Sequence, residues 1–477
     1  MQGGGQATGG SAGSIASGGS TSGGSASGGS TSGGSASGGS AGSLGSTAGQ
    51  GATSYNPPTK GSAWQFASGD PLNSTPPMLA AFDNGVVLAG ASSDLATLGL
   101  TAFPNGDTSE AFVARLDQKG AKQWSAALLP AGLPWAIARA GSDVVIVAPY
   151  MPDVTQVSPS SVTKDLYLAK IGGDGTTRFE TTVTFDHDDT FTYGLAVGAS
   201  GAIFLAGGYL EQDPTAGLAE HVILIKCDSS GKKLWDKTFP HPGTQGYANA
   251  VAVLSNGDVV ITGAFDNSLS FGAPTTTLTS KATLAGLPNG FAARFTAEGT
   301  PVWSTSFDTT DFSDGTALTS LPDGGFLVAG ATAANLTVAG KTAPVPAFTP
   351  SGASDYPPTH AFVARLDGAG VGKWLTVDAE TRFGQALTTD GNTVLLGGQL
   401  DTTTDAGGPV YLRTYSADTG TALQKIQAAR GTVTSSSLAV TSGSAWISGM
   451  FTDSADFGNS NVLTDQNAGV FLLRVDH

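Results

Sequence analysis

Acidic residues and histidines that could hold a cation or move protons stand in segments between the apolar stretches of this chain. Asp186-His187-Asp188-Asp189 is the densest group, and His241 and His360 stand in two further segments. Carboxylate oxygens and imidazole nitrogens are the ligands that divalent cations take from proteins. The acids lack the Asp-x-Asp-x-Asp-Gly spacing of a calcium loop, so a run of solvated acids is the simpler interpretation. A cation such as calcium could bind there; no other cofactor is expected.

Several aromatic residues lie near these acids in the chain. Their rings could stack on a sugar, although covering the core is their simpler role. We expect these segments to gather on one face of the molecule, where they would form a binding surface. The candidate binding residues are Asp186, His187, Asp188, Asp189, His241, Tyr247, Asp311, Asp314, Tyr356 and His360.

Known catalytic motifs are absent from the sequence. The five histidines are scattered with no motif around them, and no Ser-His-Asp arrangement can be argued. A Gly-x-x-x-x-Gly-Lys phosphate loop, a Cys/His zinc spacing and His-Glu-x-x-His are also missing. We therefore predict no catalytic residue.

A repeat of about 60 residues, present seven times, must supply the elements that position these side chains. Its clearest copies are 112–124 and 362–374, each an apolar strand followed by a glycine and then a tryptophan. Alternating apolar residues predict a strand with one buried face, and the glycine predicts a tight turn. The tryptophan would pack between neighbouring sheets. The residues assigned this structural role are Trp64, Trp124, Trp235, Trp303 and Trp374.

Pairs of glycines six residues apart bracket a second apolar strand in each repeat. The clearest pairs are Gly201/Gly207, Gly257/Gly263, Gly324/Gly330, Gly391/Gly397 and Gly443/Gly449. Each repeat thus holds two hairpins, or four strands, here called A to D. The sequence predicts an all-β, seven-bladed β-propeller of four-stranded antiparallel blades over residues 60–477. The last repeat stops before its glycine and tryptophan, so residues 61–66 are expected to supply its strand D.

The connections differ on the two faces of such a propeller. The A–B and C–D turns are short, whereas the B–C and D–A connections are long, notably 151–165, 208–220, 264–290 and 331–360. Long loops on a rigid scaffold commonly carry binding. The inner strands carry small residues (Ala136, Ala196, Ala252, Ala386), which predicts a central channel lined by few reactive side chains. This favours the rim over the channel as the place of a binding site. A basic residue also recurs in strand C, where we expect its head to reach water or a carboxylate.

Composition constrains partners and compartment. Residues 1–59 are mostly Gly, Ser, Ala and Thr, which predicts a disordered tether. The net charge of −16 argues against nucleic acid and anionic membranes as partners. No run of 18 apolar residues predicts a membrane span. Cys227, the single cysteine, excludes an intrachain disulfide.

The repeat resembles that of the SBBP-type β-propeller proteins of bacterial cell surfaces. Residues 263–272 and 449–458 match the second part of that repeat, and the resemblance covers 60–477. It implies a secreted or lipid-anchored protein, exposed at the outer membrane or in the periplasm, and carries no family-wide catalytic residue. No signal peptide opens this sequence, and a lipid anchor through the tether is expected. Residues 114–124 also resemble the tryptophan-docking motif of quinoprotein propellers, but one cysteine and seven blades argue against a quinone.

Two functions remain open at this point. The first is a monomeric, non-enzymatic scaffold that binds protein or glycan through its long-loop face. The alternative is a propeller hydrolase or lyase working at the mouth of the central funnel. An enzyme should bring together titratable groups with displaced pKa values at that mouth, whereas a binder should show a broad loop surface.

Overall fold

A computed structural model describes most of the region predicted to fold. The described residues are 61–68, 75–82, 84–92, 110–128, 131–150, 165–185, 190–213, 217–345, 359–378, 381–400, 410–427, 429–441, 444–458 and 462–476. The predicted tether, 1–59, lies outside them. Within these ranges all regular structure is β-strand, and no helix is long and apolar enough to cross a membrane.

The strands form seven four-stranded antiparallel blades, and the predicted seven-bladed propeller is confirmed. Strand β1 (Gly61–Ser68) precedes blade one: β2 (Thr75–Phe82), β3 (Gly85–Ser92), β4 (Glu110–Asp117) and β5 (Lys122–Ala127). Blade two is β6 (Ala136–Ala140), β7 (Asp143–Pro149), β8 (Leu166–Ile171) and β9 (Thr177–Val183). Blade three is β10 (Thr190–Val197), β11 (Ile203–Asp213), β12 (Gly217–Cys227) and β13 (Lys233–Phe239).

Blades four and five carry extra strands in their B–C connections. Blade four is β14 (Gly246–Val253), β15 (Val259–Phe265), β18 (Asn289–Phe295) and β19 (Pro301–Asp308), with β16 (Ser268–Leu269) and β17 (Leu278–Thr279) between β15 and β18. Blade five is β20 (Ser313–Ser320), β21 (Phe326–Thr332), β24 (His360–Leu366) and β25 (Gly372–Val377), with β22 (Leu336–Val338) and β23 (Lys341–Ala343) inserted. The β22–β23 hairpin pairs with β19, so one connection of blade five extends the sheet of blade four to six strands.

Blades six and seven complete the ring. Blade six is β26 (Thr381–Thr389), β27 (Thr393–Leu400), β28 (Val410–Ser416) and β29 (Ala422–Gln427). Blade seven is β30 (Arg430–Thr441), β31 (Ser444–Asp456) and β32 (Val462–Asp476), and β1 pairs with β32 as its fourth strand. Strand A of each blade lies beside strand A of the next, and β30 lies beside β2. The predicted closure of the last blade by the N-terminal strand is therefore confirmed.

The hydrophobic core is divided among the junctions between blades. Seven clusters of buried side chains are present in the described chain, and each joins the facing sheets of two consecutive blades. Because strands alternate side chains between two faces, each blade contributes one face to each neighbour. Both faces of the central strands are therefore apolar, as in β15, whose seven residues are all buried.

An aromatic ring from strand D of one blade covers the C–D turn glycine of the next blade. A methyl group on Gly370 would approach the Trp303 ring to 2.8 Å, and one on Gly420 would approach Trp374 to 2.5 Å. The same contact joins Trp124 to Gly175, Phe179 to Gly231 and Trp235 to Gly299. Glycine is therefore required at this turn for two reasons: the backbone has a positive φ, and an aromatic ring packs directly against the Cα.

Hydrogen bonds reinforce these joints. The Trp303 indole Nε1 donates to the Gly368 carbonyl at 3.1 Å, and the Arg294 guanidinium donates to the same oxygen. Other blades repeat this pattern: Trp124 and Arg115 donate to Gly173, Trp374 and Arg365 to Ala417, Lys226 to Ala297, and Arg474 to Gln118. The strand-C basic head thus reaches the next blade as well as carboxylates such as that of Asp258. These charges hold blades together.

Trp64 takes a different register from the other four tryptophans. Trp124, Trp235, Trp303 and Trp374 each stand opposite the strand-C basic residue of their own blade. In blade seven Ser62 stands opposite Arg474, and Trp64 stands opposite Leu472. The strand predicted to close the ring therefore pairs two residues out of step with the tryptophan pattern.

Replacing Gly370 by alanine should destabilise the protein more than the same change at Gly257. Both glycines have φ near +85°, at +82° and +89°, so both substitutions incur the left-handed backbone penalty of about 1–2 kcal/mol. Nothing lies within 4 Å of a methyl group at Gly257, whereas one at Gly370 meets Trp303. Overpacking should add about 1–3 kcal/mol to the loss at Gly370. Urea unfolding of both variants measures the difference, and equal losses would show that the ring contact contributes nothing.

Candidate functional site

Polar side chains from blades three, four and five converge where their inner strands begin. Tyr193 on β10, Tyr247 and Asn249 on β14, Asp314 on β20 and Glu220 on β12 all lie toward the face of the D–A and B–C connections, here called the connection face. The Asn249 amide donates to Asp314 Oδ1 at 3.0 Å, and the Tyr247 hydroxyl donates to Asp314 Oδ2 at 3.4 Å. We call these five residues the mouth cluster.

A β-bulge in each inner strand positions these side chains. On β10 the register skips between Thr192 and Gly194, which leaves Tyr193 as the extra residue. On β14 the extra residue is Asn249, and on β20 it is Thr316. A bulge bends the strand and re-aims the side chain that it adds. Tyr247 and Asp314 each stand two residues before the bulge of their own strand.

A glycine in strand B makes room for each bulge. A methyl group on Gly263 would lie 1.9 Å from the Tyr247 carbonyl oxygen, and one on Gly330 would lie 1.9 Å from that of Asp314. Only glycine permits so close an approach of the neighbouring backbone. The second glycine of each sequence pair therefore marks a bulge in strand A.

Burial makes the two carboxyl groups weak acids. Burial raises the pKa of Asp314 to about 7, against opposing hydrogen bonds from Asn249, Tyr247 and the Gly315 backbone. Burial, with a smaller contribution from the negative charge of Asp314, raises the pKa of Glu220 to about 8. The two groups therefore hold protons near neutral pH.

The tyrosines of the cluster are held neutral. Burial and then the Glu220 charge raise the pKa of Tyr193 to about 12. Burial and then the Asp314 charge raise the pKa of Tyr247 far above its ordinary value. Both phenols can therefore donate hydrogen bonds throughout the physiological pH range. In the part of the chain that the structure describes, neither Glu220 nor Asp314 forms an ion pair with a lysine or arginine.

A network of histidines lies beside the mouth cluster. His221 follows Glu220 on β12, and its Nδ1 lies 3.0 Å from the Nδ1 of His241. The His241 Nε2 lies 3.2 Å from Asp266 Oδ1 and 2.8 Å from the Gln245 carbonyl oxygen. Burial opposes ionisation of Asp266, but hydrogen bonds from His241, Thr244 and Gln245 outweigh it and hold the pKa of this carboxyl below its ordinary value.

The predicted binding residues are only partly brought together. Tyr247 and Asp314 belong to the mouth cluster, and His241 lies beside it. Asp311 instead accepts a hydrogen bond from the Phe312 backbone at 2.8 Å, and His360 is buried at the start of β24 opposite Thr332. Residues 186–189 and Tyr356 lie outside the described residues. Within the described ranges, no group of three or more His, Cys, Asp or Glu side chains is arranged to hold a metal ion.

Two expectations about this face need correction. The inner strands were expected to offer little chemistry because of their alanines, but the bulges place Tyr193 and Asn249 among polar groups there. The segment 208–220 was expected to be an irregular loop. Its described part continues β11 and β12 as a paired hairpin out to Asp213 and Gly217, and this hairpin carries Glu220.

The sequence contained a signal for the residues that were missed. Tyr193, Glu220, Asn249, His221 and Asp266 were not assigned to a site. The strand-B glycines at 207, 263 and 330 mark the bulges, and each bulge identifies the polar residues beside it. Glu220 has no such marker, because only the fold brings β12 of blade three beside the inner strands of blades four and five.

A recess of 480 Å³ opens on the opposite face, where the short turns lie. It is lined by Asn84, Arg115, Asp117, Gln123, Trp124 and Gly173. Arg115 and Trp124 already donate hydrogen bonds to the Gly173 carbonyl oxygen. This recess is therefore the outer side of a blade joint, and the mouth cluster remains the stronger candidate.

Replacing Asp314 by asparagine should flatten the dependence of stability on pH. Between about pH 4 and pH 7 the folded protein holds a proton on Asp314 that the unfolded chain has released. The free energy of unfolding should therefore fall as the pH rises through this window, and Asp314→Asn should lessen that slope. Urea unfolding at pH 5.0, 6.5 and 8.0 measures it, with the exposed Glu298→Gln as the control. An unchanged slope in Asp314→Asn would contradict the raised pKa.

Comparisons with known proteins identify no family for this chain. No protein-family model and no curated protein matches this chain. Among solved structures, it is similar to the quinohemoprotein alcohol dehydrogenase ADHIIG from Pseudomonas putida HK5, at 10% identity and a TM-score of 0.39 over 83% of this chain and 66% of that one. YCF48 bound to D1 peptide matches at 12% identity and a TM-score of 0.41, over 89% and 97%. The Neurospora crassa Pan2 WD40 domain matches at 10% identity and a TM-score of 0.38, over 72% and 89%.

Proposed function

We propose that this protein is a non-catalytic binding scaffold, and that a protein partner docks on its connection face with a basic side chain entering the mouth cluster. The observation that carries the proposal is the Glu220–Asp314 pair. Both carboxyl groups have raised pKa values, and no lysine or arginine of the described chain pairs with either. A cation from outside is the group that would stabilise their ionised forms most.

The surrounding side chains suit a guanidinium or ammonium group. Carboxylate oxygens accept hydrogen bonds from arginine, in bidentate geometry where the fork fits. The tyrosine rings offer faces on which a cation can rest. Entry of a cation would expel the protons held by Glu220 and Asp314, so binding should be coupled to proton release.

The charge of the whole protein favours the same class of partner. A net charge of −16 attracts basic surfaces and repels acidic ones. Such a field increases the rate of encounter with a basic partner more than it increases final affinity. A neutral glycan would gain nothing from this field, and for this reason we place protein before glycan.

We further propose that the propeller works at a bacterial cell surface, as its resemblance to SBBP-type repeat proteins suggests. The Gly/Ser-rich segment 1–59 would then serve as a tether, lipid-anchored in the cell, for a monomeric propeller. Protease treatment of intact cells tests this location. Cleavage of the protein before lysis supports it, and protection until lysis contradicts it.

Basic peptides should bind at the mouth cluster, and neutralising its two carboxyl groups should weaken that binding. Acetylated tetra-arginine, tetra-lysine and tetra-glutamate peptides and a set of neutral oligosaccharides serve as probes in isothermal titration calorimetry. We expect tetra-arginine to bind, with proton release visible as a heat that depends on the buffer. Glu220→Gln with Asp314→Asn should weaken binding by about tenfold or more, because two charge-assisted contacts are lost.

The matched control removes the same charge elsewhere. Glu298→Gln with Asp390→Asn neutralises two exposed acids on the short-turn face and should leave affinity within about twofold. Equal weakening in both double variants would show that only net charge matters and would reject the mouth as the site. Binding of an oligosaccharide without binding of basic peptides would replace the protein partner by a glycan.

A hydrolase or lyase is the second candidate function. The observation that favours it is the same pair of carboxyl groups, since pKa values near 7 and 8 suit general acids and bases at neutral pH. Nitrophenyl glycosides and esters test for turnover. Activity that disappears in Asp314→Asn, together with inert basic peptides, would select the enzyme over the binding scaffold.

A further inference from the structure

Two buried histidines meet through the same ring atom beside the mouth cluster. His221 and His241 are 5% and 8% exposed, and their Nδ1 atoms lie 3.0 Å apart. The rings cross nearly at right angles, at 88°. His221 belongs to β12, whereas His241 belongs to the connection 240–245 that runs from β13 to β14.

This contact accommodates a single proton. A hydrogen bond between two nitrogens needs one donor and one acceptor, and an imidazole nitrogen can be either. The His241 backbone amide also donates to His221 Nδ1, at 3.4 Å, which makes that atom an acceptor. The shared proton then resides on His241 Nδ1, and because Nε2 of the same ring faces only acceptors, we infer that His241 carries both protons as an imidazolium paired with Asp266. A second proton, on His221 Nδ1, would set two N–H groups against each other.

The other end of His241 fastens the connection to blade four. Its Nε2 donates to the Gln245 carbonyl oxygen and to Asp266 Oδ1. Asp266 in turn accepts hydrogen bonds from the backbone amides of Thr244 and Gln245, at 3.1 Å each. Loss of the histidine contact therefore loosens one end of a network that holds the whole connection 240–245.

The charged and titratable groups around the pair direct where a second proton would go. Glu211 on β11 places its Oε2 3.7 Å from His221 Nε2 and is 59% exposed, while Tyr209 of the same strand packs on the His221 ring. Asp266, directly after β15, faces His241, and Glu220 neighbours His221 in the chain. Since Asp266 already balances His241, the unshared attraction of Glu211 favours protonation of His221.

We propose that the His221–His241 contact is a pH-sensitive latch that holds the connection 240–245 closed near neutral pH and releases it on mild acidification. Histidine ordinarily gains its proton near pH 6.5, so mild acidification is the condition under which we test delivery of the second proton. Protonation of His221 breaks the Nδ1–Nδ1 contact, and the connection moves away from β12.

Release of this connection alters the mouth cluster. Thr244 contributes its carbonyl oxygen to the Glu220 backbone amide, at 3.1 Å, and the connection leads directly into Tyr247. At acid pH we expect the connection 240–245 to move away from Glu220 and Tyr247, which would open this side of the mouth cluster. The consequence for ligand binding rests on the proposed function, whereas the movement of the connection does not.

Hydrogen–deuterium exchange of the full-length protein tests the latch without any ligand. After correction for intrinsic rates, amides of 240–246 should exchange about tenfold faster at pH 5.0 than at pH 7.5, while the core strand β15 stays protected. His221→Gln, which cannot titrate, should abolish this dependence on pH. Glu211→Gln, on an exposed side chain, should move the release to lower pH, because protonated His221 loses its counter-charge.

A buried histidine elsewhere supplies the control. His360→Gln changes a histidine of similar burial in blade five and should leave the release intact. Protection of 240–246 that does not vary with pH in the wild-type protein, or a release that persists in His221→Gln, would overturn the latch. Long-range ¹H–¹⁵N spectra of the wild-type histidines give the same answer without a variant, since His221 Nδ1 must become protonated as the connection opens.

Binding of tetra-arginine at pH 7.5 and 5.5 separates the latch from the proposed function. If the wild-type protein binds more weakly at pH 5.5 and His221→Gln restores the affinity at that pH, the latch controls the mouth cluster. Failure of the peptide to bind at either pH, with a normal exchange profile, would reject the proposed function and leave the latch standing.

Discussion

The contact of a strand-D aromatic ring with the turn glycine of the following blade governs the arrangement of this propeller. Trp303 on Gly370 and Trp374 on Gly420 are typical: the ring, the bare Cα and a hydrogen bond to the turn fix one blade against the next. The contact is directional, because it joins the strand-D aromatic of one blade to the turn glycine of the next blade and not the reverse. It recurs at the five consecutive joints from blade one to blade six, and three of these blades carry the mouth cluster.

Polar side chains among the apolar blades of this propeller require a local departure from regular β-strand pairing. A regular inner strand would send its side chains only toward the neighbouring blades, whose facing surfaces form the core. The bulges at Tyr193 and Asn249 break that alternation, and the strand-B glycines absorb the displaced backbone. The consequence falls on two acids of intermediate exposure, since Asp314 and Glu220 hold protons where a fully solvated carboxyl would be ionised.

The sequence was sufficient for the architecture because the architecture is periodic. Seven copies of a hairpin pattern predicted seven blades, and the missing last strand predicted the closure by β1. The site was harder because it is not periodic. Asp314 and Tyr247 were selected for lying near connections, but their partners Tyr193, Asn249 and Glu220 come from separate strands, and a one-residue bulge decides where two of them point. Trp64 shows the same limit, since a shift of two residues separates it from its apparent equivalents.

The pairing of β1 with β32 has a consequence for the order of events during synthesis. The first described strand of the propeller leaves the ribosome early and must wait for the last before its hydrogen bonds can form. Until then blade one also lacks the face of blade seven that covers Leu79 and Leu88. Six blades can be complete while the ring is still open at one seam. That seam exposes an unpaired strand and an apolar sheet face together, so the interval before closure is when the chain is most open to pairing with another copy of itself.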